Sequence, residues 1–455
     1  MNKNLVFLTG SFLLAVLSWE AGAQEKKENA KTEKKGDTTL VKKEDSAAAK
    51  KVPYDKLLEN PTRSSKGVMN LYYVKSKLYL EIPLALMEKE MLLASTISET
   101  SDNYEGLVGS KPTDLLQVYF SLVDSTVLLR RTEKKMVAPR DDRNIGDALD
   151  KNSIGAILKI FPVAAFNNTR TAAVVDVTDY FLGDTKELSP FGDFNIYKGM
   201  GLTSSQSFKK DRSFIGVIKS FDDNIIIKSH LSYENTRADS KQRTYQKDEP
   251  FTVVMTRTFL LLSPDPARPR IADSRIGIFT TKKTRLSNEV DRVEPVYYAN
   301  RWKLEPKDMA AYKRGELVEP VKPVTFYVDS DFPESWKKPV KDAINDWNLA
   351  FEKIGFKNAI RALDYPKDDP EFDPDNLKYS CVRYAPAPVA NAIGPSWVDP
   401  RSGEIINASV YLFHDAVKLI NNWMFIQTSP ANPEIRNVAL PEAYKQEGIK
   451  YVVRH

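Results

Sequence analysis

The sequence has one cysteine, Cys381, and three histidines, His230, His414 and His455, in 455 residues. A lone thiol excludes an internal disulfide framework, so stability has to come from apolar cores. Neither sign of charge dominates: 66 basic and 61 acidic side chains leave a net charge of +5. No segment interleaves basic and aromatic residues as a single-strand platform would, so no nucleic-acid partner is expected. The apolar stretch at residues 5–19 is too short, and too interrupted by Gly and Ser, to span a bilayer comfortably. No transmembrane segment is expected after it.

What is present points to folded, exported protein. Hydrophobic residues make up 42% and aromatics 10%, enough for two or three domains. The start, "MNKNLVFLTGSFLLAVLSWEAGAQ", has Lys3 ahead of the apolar stretch and Ala21-Gly22-Ala23 after it. That is a signal-peptide pattern over residues 1–23, with cleavage after Ala23. The protein is therefore expected in the periplasm, on the outer surface or secreted. Residues 24–52 are nearly all charged or small and read as a disordered tether.

The remainder reads as α+β and multidomain. Residues 53–100 suggest a small α+β module. It has a hairpin around Lys75-Ser76-Lys77, then a helix that carries Leu84, Met87, Met91 and Leu92 on one face. Residues 101–290 alternate apolar and polar positions between turn signals and predict a β-rich antiparallel domain. His230 falls in one of its strands. "SPDPARPRIADSRIGIFTTKK" reads as an extended connector, since its prolines cannot sit inside a central strand.

From residue 291 strands and helices alternate. "VTFYVD" is a strand. Val340, Ala343, Ile344, Trp347, Phe351 and Ile354 then make one face of a long helix, with Lys341, Asp342, Asn345, Asn348 and Glu352 on the other, and Gly355 ends it. Two strands follow, and "WVDPRSGEIINASVYLF" forms a hairpin. Helices are expected from His414 and from Pro441 to the end. "LDYPKDDPEFDPDN" clusters five aspartates without the spacing of a calcium loop and reads as a solvated loop. Asp399 and Glu404 are a carboxylate pair with nothing else to suggest a glycosidase. Cys381 reads as a buried, inert thiol.

"YLEIPLALMEKEMLLAS", "ARPRIADSRIGIF", "NRWKLEPKDMAAYKRGELVEPVKPVTFYVD", "DWNLAFEKIGFKNAI" and "NAIGPSWVDPRSGEI" resemble the large secreted zinc-dependent metallopeptidases of Bacteroidetes. In those, domains of unknown function precede a metzincin-like catalytic region. The resemblance implies that residues 291–455 are the N-terminal part of a metzincin-like α/β subdomain. It implies a last helix carrying His-Glu-x-x-His, in which two histidines on one helix face hold Zn²⁺ and the glutamate serves as general base. His455 matches the first histidine. The glutamate and the other two zinc ligands are not in the sequence, so no catalytic residue is assigned. This chain is expected to bind no zinc stably and to be inactive as it stands. The resemblance further implies a peptide or protein substrate lying extended along an edge strand. By chain order that strand holds Ile406, Asn407, Ala408, Ser409 and Val410. The alternative is a non-catalytic cell-envelope binding protein with a remnant peptidase region.

Overall fold

The computed structural model describes residues 53–454, except 133–134, 140, 193–194, 370–371, 395 and 434–441. The expected signal peptide, the tether and His455 lie outside the described residues. Helices, extensive antiparallel sheet and a separate mixed sheet make the chain α+β.

The first strands are β1 (Arg63–Ser65), β2 (Asn70–Val74), β3 (Lys77–Pro83), β4 (Met91–Thr100), β5 (Leu116–Val123), β6 (Thr126–Arg131) and β7 (Met136–Val137). After them come β8 (Ala156–Phe166), β9 (Ala172–Asp176), β10 (Thr203–Phe208), β11 (Phe214–Ser220), β12 (Asn224–Ala238) and β13 (Thr244–Leu261). All but β7 join one sheet in the order β1-β2-β3-β9-β8-β6-β5-β4-β13-β12-β10, with β11 also on β12. The sheet curls until its ends meet. The Arg63 guanidinium donates to the carbonyls of Ile215 and Gly216, and Val68 N–H donates to Phe221 O at 2.8 Å. Ser220 N–H donates to Ser65 Oγ at 2.8 Å. Near-closure removes most of the exposed edge that so large a sheet would otherwise present.

The expected hairpin forms between β2 and β3, where Lys75 and Ser76 both take positive φ. That is the turn geometry whose twist matches the flanking strands. The helix expected to carry Leu84, Met87, Met91 and Leu92 on one face does not form. A single 3₁₀ turn at Leu84–Leu86 is followed by β4. Glu88 at φ 61° breaks any helix there. β4 is covered on both faces: Met91, Leu93 and Ile97 point into the barrel core, while Leu92 and Ala94 pack outward against Trp397 and Leu377. A strand buried twice reads as a continuous apolar run, and by chance it also meets the helical spacing.

The two expected domains 53–100 and 101–290 share this one sheet. β4 pairs with β5 on one side and β13 on the other, and both segments fill a single core. The loop at residues 101–110 closes one end. Its Glu105, fully buried, accepts from Arg237 Nε at 3.1 Å and Nη2 at 2.8 Å, and Arg237 lies 4.0 Å from the Tyr197 ring.

A small sheet follows: β14 (Thr280–Arg285) pairs with β15 (Glu294–Ala299) and with β7. The last sheet holds β16 (Val324–Val328), β17 (Ile360–Asp364), β18 (Ser380–Ala385), β19 (Ala392–Ile393), β20 (Ser396–Asp399) and β21 (Glu404–Phe413). β17, β16, β18 and β21 run parallel in that order, and β19 and β20 pair antiparallel with the outer side of β21. The helices Glu334–Asn345 and Glu442–Arg454 pack together on one face, with Val340, Ile344 and Ile449 in the core. The long helix expected across residues 335–354 is broken at residues 346–347. Asn345 and Asn348, expected on its polar face, bond the β17 backbone instead: Ala362 N–H donates to Asn345 Oδ1 at 3.1 Å, and Asn348 Nδ2 donates to Ile360 O at 2.8 Å. Trp347 is left 47% exposed.

Replacing Glu105 with Ala leaves the buried Arg237 guanidinium only the longer contact to Asp102, at 3.4 Å, as a counter-charge. Urea unfolding should show a loss of about 3–5 kcal/mol, the usual result of removing one partner of a buried ion pair.

Candidate functional site

β21 was expected to be the substrate-facing edge, and it is an interior strand. Ser409 and Val410 pair with β18, while Asn407 and Ala408 pair with β20. The stretch before them is also bounded, because Ile405 N–H donates to Arg301 O at 2.8 Å. The physical reason is the Pro-Arg-Ser-Gly turn, which folds β20 back onto β21 and covers it. Asn407, with no exposed surface, donates through Nδ2 to Leu377 O at 3.0 Å and Tyr379 O at 2.8 Å. Ile406 packs with Trp397, and Val410 packs towards the helices. Among the described residues, the edges of this sheet are β17 on one side and the β19–β20 segment on the other.

Opposite the helices, the sheet lies against the outer wall of the barrel. The seam is charged. Asp375, one-tenth exposed, is gripped by Arg383 Nη1 at 2.6 Å and by Lys228 of β12. Burial works to raise its carboxyl, but the two cations outweigh burial and hold it below the usual carboxylate range. Burial works against the Arg383 charge too, yet Tyr411 and Asp375 keep it firmly protonated. Arg383 also donates to the Tyr411 hydroxyl at 2.9 Å, and burial pushes that hydroxyl up to about 12. Lys219 of β11 pairs with Asp373 at 2.5 Å, and Asn224 Nδ2 donates to Asn376 Oδ1 at 2.9 Å. Arg401, in the hairpin turn, bonds Asp399, Glu90 and Ser263 O. The aspartate loop read as solvated is therefore, at Asp373 and Asp375, the bracket between two sheets. Asp399 is engaged by Arg401, as befits a structural carboxylate rather than a hydrolytic one.

Lys111 closes this seam. Its Nζ sits 3.5 Å from the centre of the Trp397 ring and donates to Ser396 O at 2.5 Å. Burial pushes the ammonium down to about 7. Beside it is a cavity of about 30 Å³, lined by Thr96, Thr256, Thr258, Asp375 and Ser409 among others. That volume has room for one or two waters. At the rim, Gly109 takes φ 85° with its Cα so close to the Tyr411 ring that a side chain there would clash. Lys111 and Gly109 carry no sequence motif and were not singled out from the sequence.

The described residues do not make a zinc site. Among them no group of three or more His, Cys, Asp or Glu is placed to hold a metal ion. His414 stacks on Trp336 and shares a 2.8 Å hydrogen bond between its Nδ1 and Tyr384 Oη. His230 stacks on Phe214 at 4.3 Å. Cys381 is buried in β18, and burial pushes its thiol up to about 12, as an inert thiol requires. The helix Glu442–Arg454 sends Ile449 into the core and pairs Arg454 with Asp346.

The Lys111 shift fixes a pH dependence. Below pH 7 both folded and unfolded chains carry this proton, and the fold bears the full cost of burying the charge. Between about 7 and the ordinary value of 10.5, only the unfolded chain holds the proton, so stability rises with pH. Urea midpoints measured from pH 7 to 10 should rise more steeply in the wild type than in Lys111→Met, which lacks this group. Parallel profiles would show that the Trp397 face keeps Lys111 charged throughout.

Residues 51–100 match a family model described as "Domain of unknown function (DUF5118)", and residues 110–307 match one described as "Domain of unknown function (DUF5117)". No curated protein matches the chain, and no solved structure does.

Proposed function

We propose that residues 291–455 are the strand-and-helix portion of an exported zinc-dependent peptidase, carried behind a β-barrel of separate role. The observation that supports this most is the strand order of the mixed sheet. Four parallel strands run β17-β16-β18-β21, an antiparallel segment lines the outer side of β21, and two packed helices share one face. Such a sheet offers an extended peptide a ready partner. Main-chain hydrogen bonds to an edge supply affinity independent of sequence, and alternate side chains supply preference. Because β21 is covered, the proposed docking edge is β19–β20, reached from the side away from the barrel. The chain's own contribution is to bind and orient the peptide. In this reading His455, the residue after the helix Glu442–Arg454, is a ligand of the zinc centre proposed for the complete protein.

The reaction class is peptide-bond hydrolysis, with His455 as one of three zinc ligands. These 455 residues supply that one candidate only, so no hydrolytic step is assigned to them.

The test is the reading frame after the His455 codon and the protein it encodes. Glu-x-x-His should follow. The extended protein should cleave a quenched peptide library in a chelator-sensitive way, and His455→Ala should lower kcat/KM by at least about a thousandfold, as loss of a catalytic metal site does. A frame without Glu-x-x-His, or turnover indifferent to chelator and to His455→Ala, would overturn the reading. Export is checked on the same material: the mature N-terminus should be Gln24.

A further inference from the structure

The barrel interior contains a charge that its apolar lining does not explain. Along β13, Phe251, Val253, Met255 and Phe259 face the core, and Arg257 is in phase with them. Arg257 is 1% exposed. Its Nη2 donates to Leu188 O at 2.8 Å, while Nε and Nη1 have no hydrogen-bond partner. Two more buried donors belong to the same core, for the hydroxyls of Tyr180 and Tyr233 also lack partners. Both rings lie within electrostatic reach of Arg257. Ser229, on β12 and in phase with Tyr233, has an unpartnered hydroxyl as well.

Buried polar atoms in folded proteins are almost always hydrogen-bonded, and five orphans in one barrel interior call for an occupant. The sign of the charge says which kind. Burial brings the guanidinium down to about 10, so it stays positive at neutral pH. The ionisable groups acting on it are the two tyrosines, both of which burial keeps neutral. Two carboxylates, Asp184 and Glu187, act on the tyrosines from the segment between β9 and β10. A buried cation without a counter-charge is strongly disfavoured. Water would satisfy the hydroxyls but not neutralise the guanidinium.

We propose that the barrel interior binds one small monoanion, of the size of a halide or a carboxylate group, on the Arg257 guanidinium and the hydroxyls of Tyr180 and Tyr233. An enclosed anion enters as the chain folds, so its binding appears as stability. It is independent of the peptidase reading, since the site lies in the barrel and the test involves no hydrolysis.

The experiment is urea unfolding of the full chain at constant ionic strength, with chloride or acetate replacing the bulky sulfonate anion MES. Once the site is saturated, each tenfold rise in the bound anion should shift the folding equilibrium about tenfold towards the native state. Whichever of chloride and acetate acts at the lower concentration identifies the occupant as halide or carboxylate. Arg257→Met should abolish the response. If that variant does not fold, the Tyr180→Phe, Tyr233→Phe double variant retains the charge and should move the response to higher anion concentration. Identical unfolding in chloride, acetate and MES would overturn the proposal. So would Glu187→Gln costing as much as Arg257→Met without additivity between them, because Glu187 would then be the counter-ion.

Discussion

The arrangement of the molecule depends on one carboxylate taken out of water between two cations. Asp375 comes from the loop before β18, Arg383 from β18 itself and Lys228 from β12 of the barrel. A buried ion triad is weak grounds for stability, because desolvation offsets much of the Coulomb gain. It is strong grounds for geometry, because a displacement that removes either cation leaves a buried charge behind. The apolar contacts around it, Leu92 and Leu260 against Trp397, and Leu107 against Tyr411, would tolerate sliding. The triad does not. It sets the register between barrel and mixed sheet, and Arg401 and Lys219 repeat the constraint at two further points.

That constraint decides which surfaces remain for function. The barrel takes one face of the mixed sheet and the helices Glu334–Asn345 and Glu442–Arg454 take the other. What is left are the two edges, of which β19–β20 is the one proposed to bind peptide. The hairpin turn anchored by Arg401 presents β20 there, and Lys111 reaches from the barrel to the carbonyl of Ser396 at the start of that strand. The barrel is thus in direct contact with the segment on which peptide binding is proposed.

Much of the mixed sheet was legible in the sequence, because its strands are bounded by turn residues and two of them, β16 and β21, are followed by helices. β16, β18 and the hairpin into β21 lie where the pattern puts them. The sequence misled where an element is covered twice or serves two partners. β4 lost its alternation because the barrel core and the mixed sheet bury opposite faces of it. Asn345 and Asn348 looked solvent-facing because their partners are backbone groups of β17, which composition does not reveal. The edge assignment failed on order: chain order placed β21 last, but β20 folds back and takes the outer place. Asp373 and Asp375 looked solvated among prolines, since Lys219, which pairs with Asp373, is 154 residues away in sequence and Lys228 is on the barrel too; only Arg383, 8 residues after Asp375, is near. Arg257 gives no local signal at all, as a single basic residue in an alternating strand reads as an outward-facing position.

β4 has a further consequence for how such chains are inherited. It ends at Thr100, the last residue of the first matched segment, yet both its neighbours, β5 and β13, belong to the second. The two segments are separate as units of sequence similarity and inseparable as a unit of folding. Residues 51–100 alone would be a short ribbon with apolar residues on both faces and two bare edges, and residues 110–307 alone would be a barrel with a missing wall. A gene that acquires one of these segments needs the other, so the pair should be found, gained and lost together.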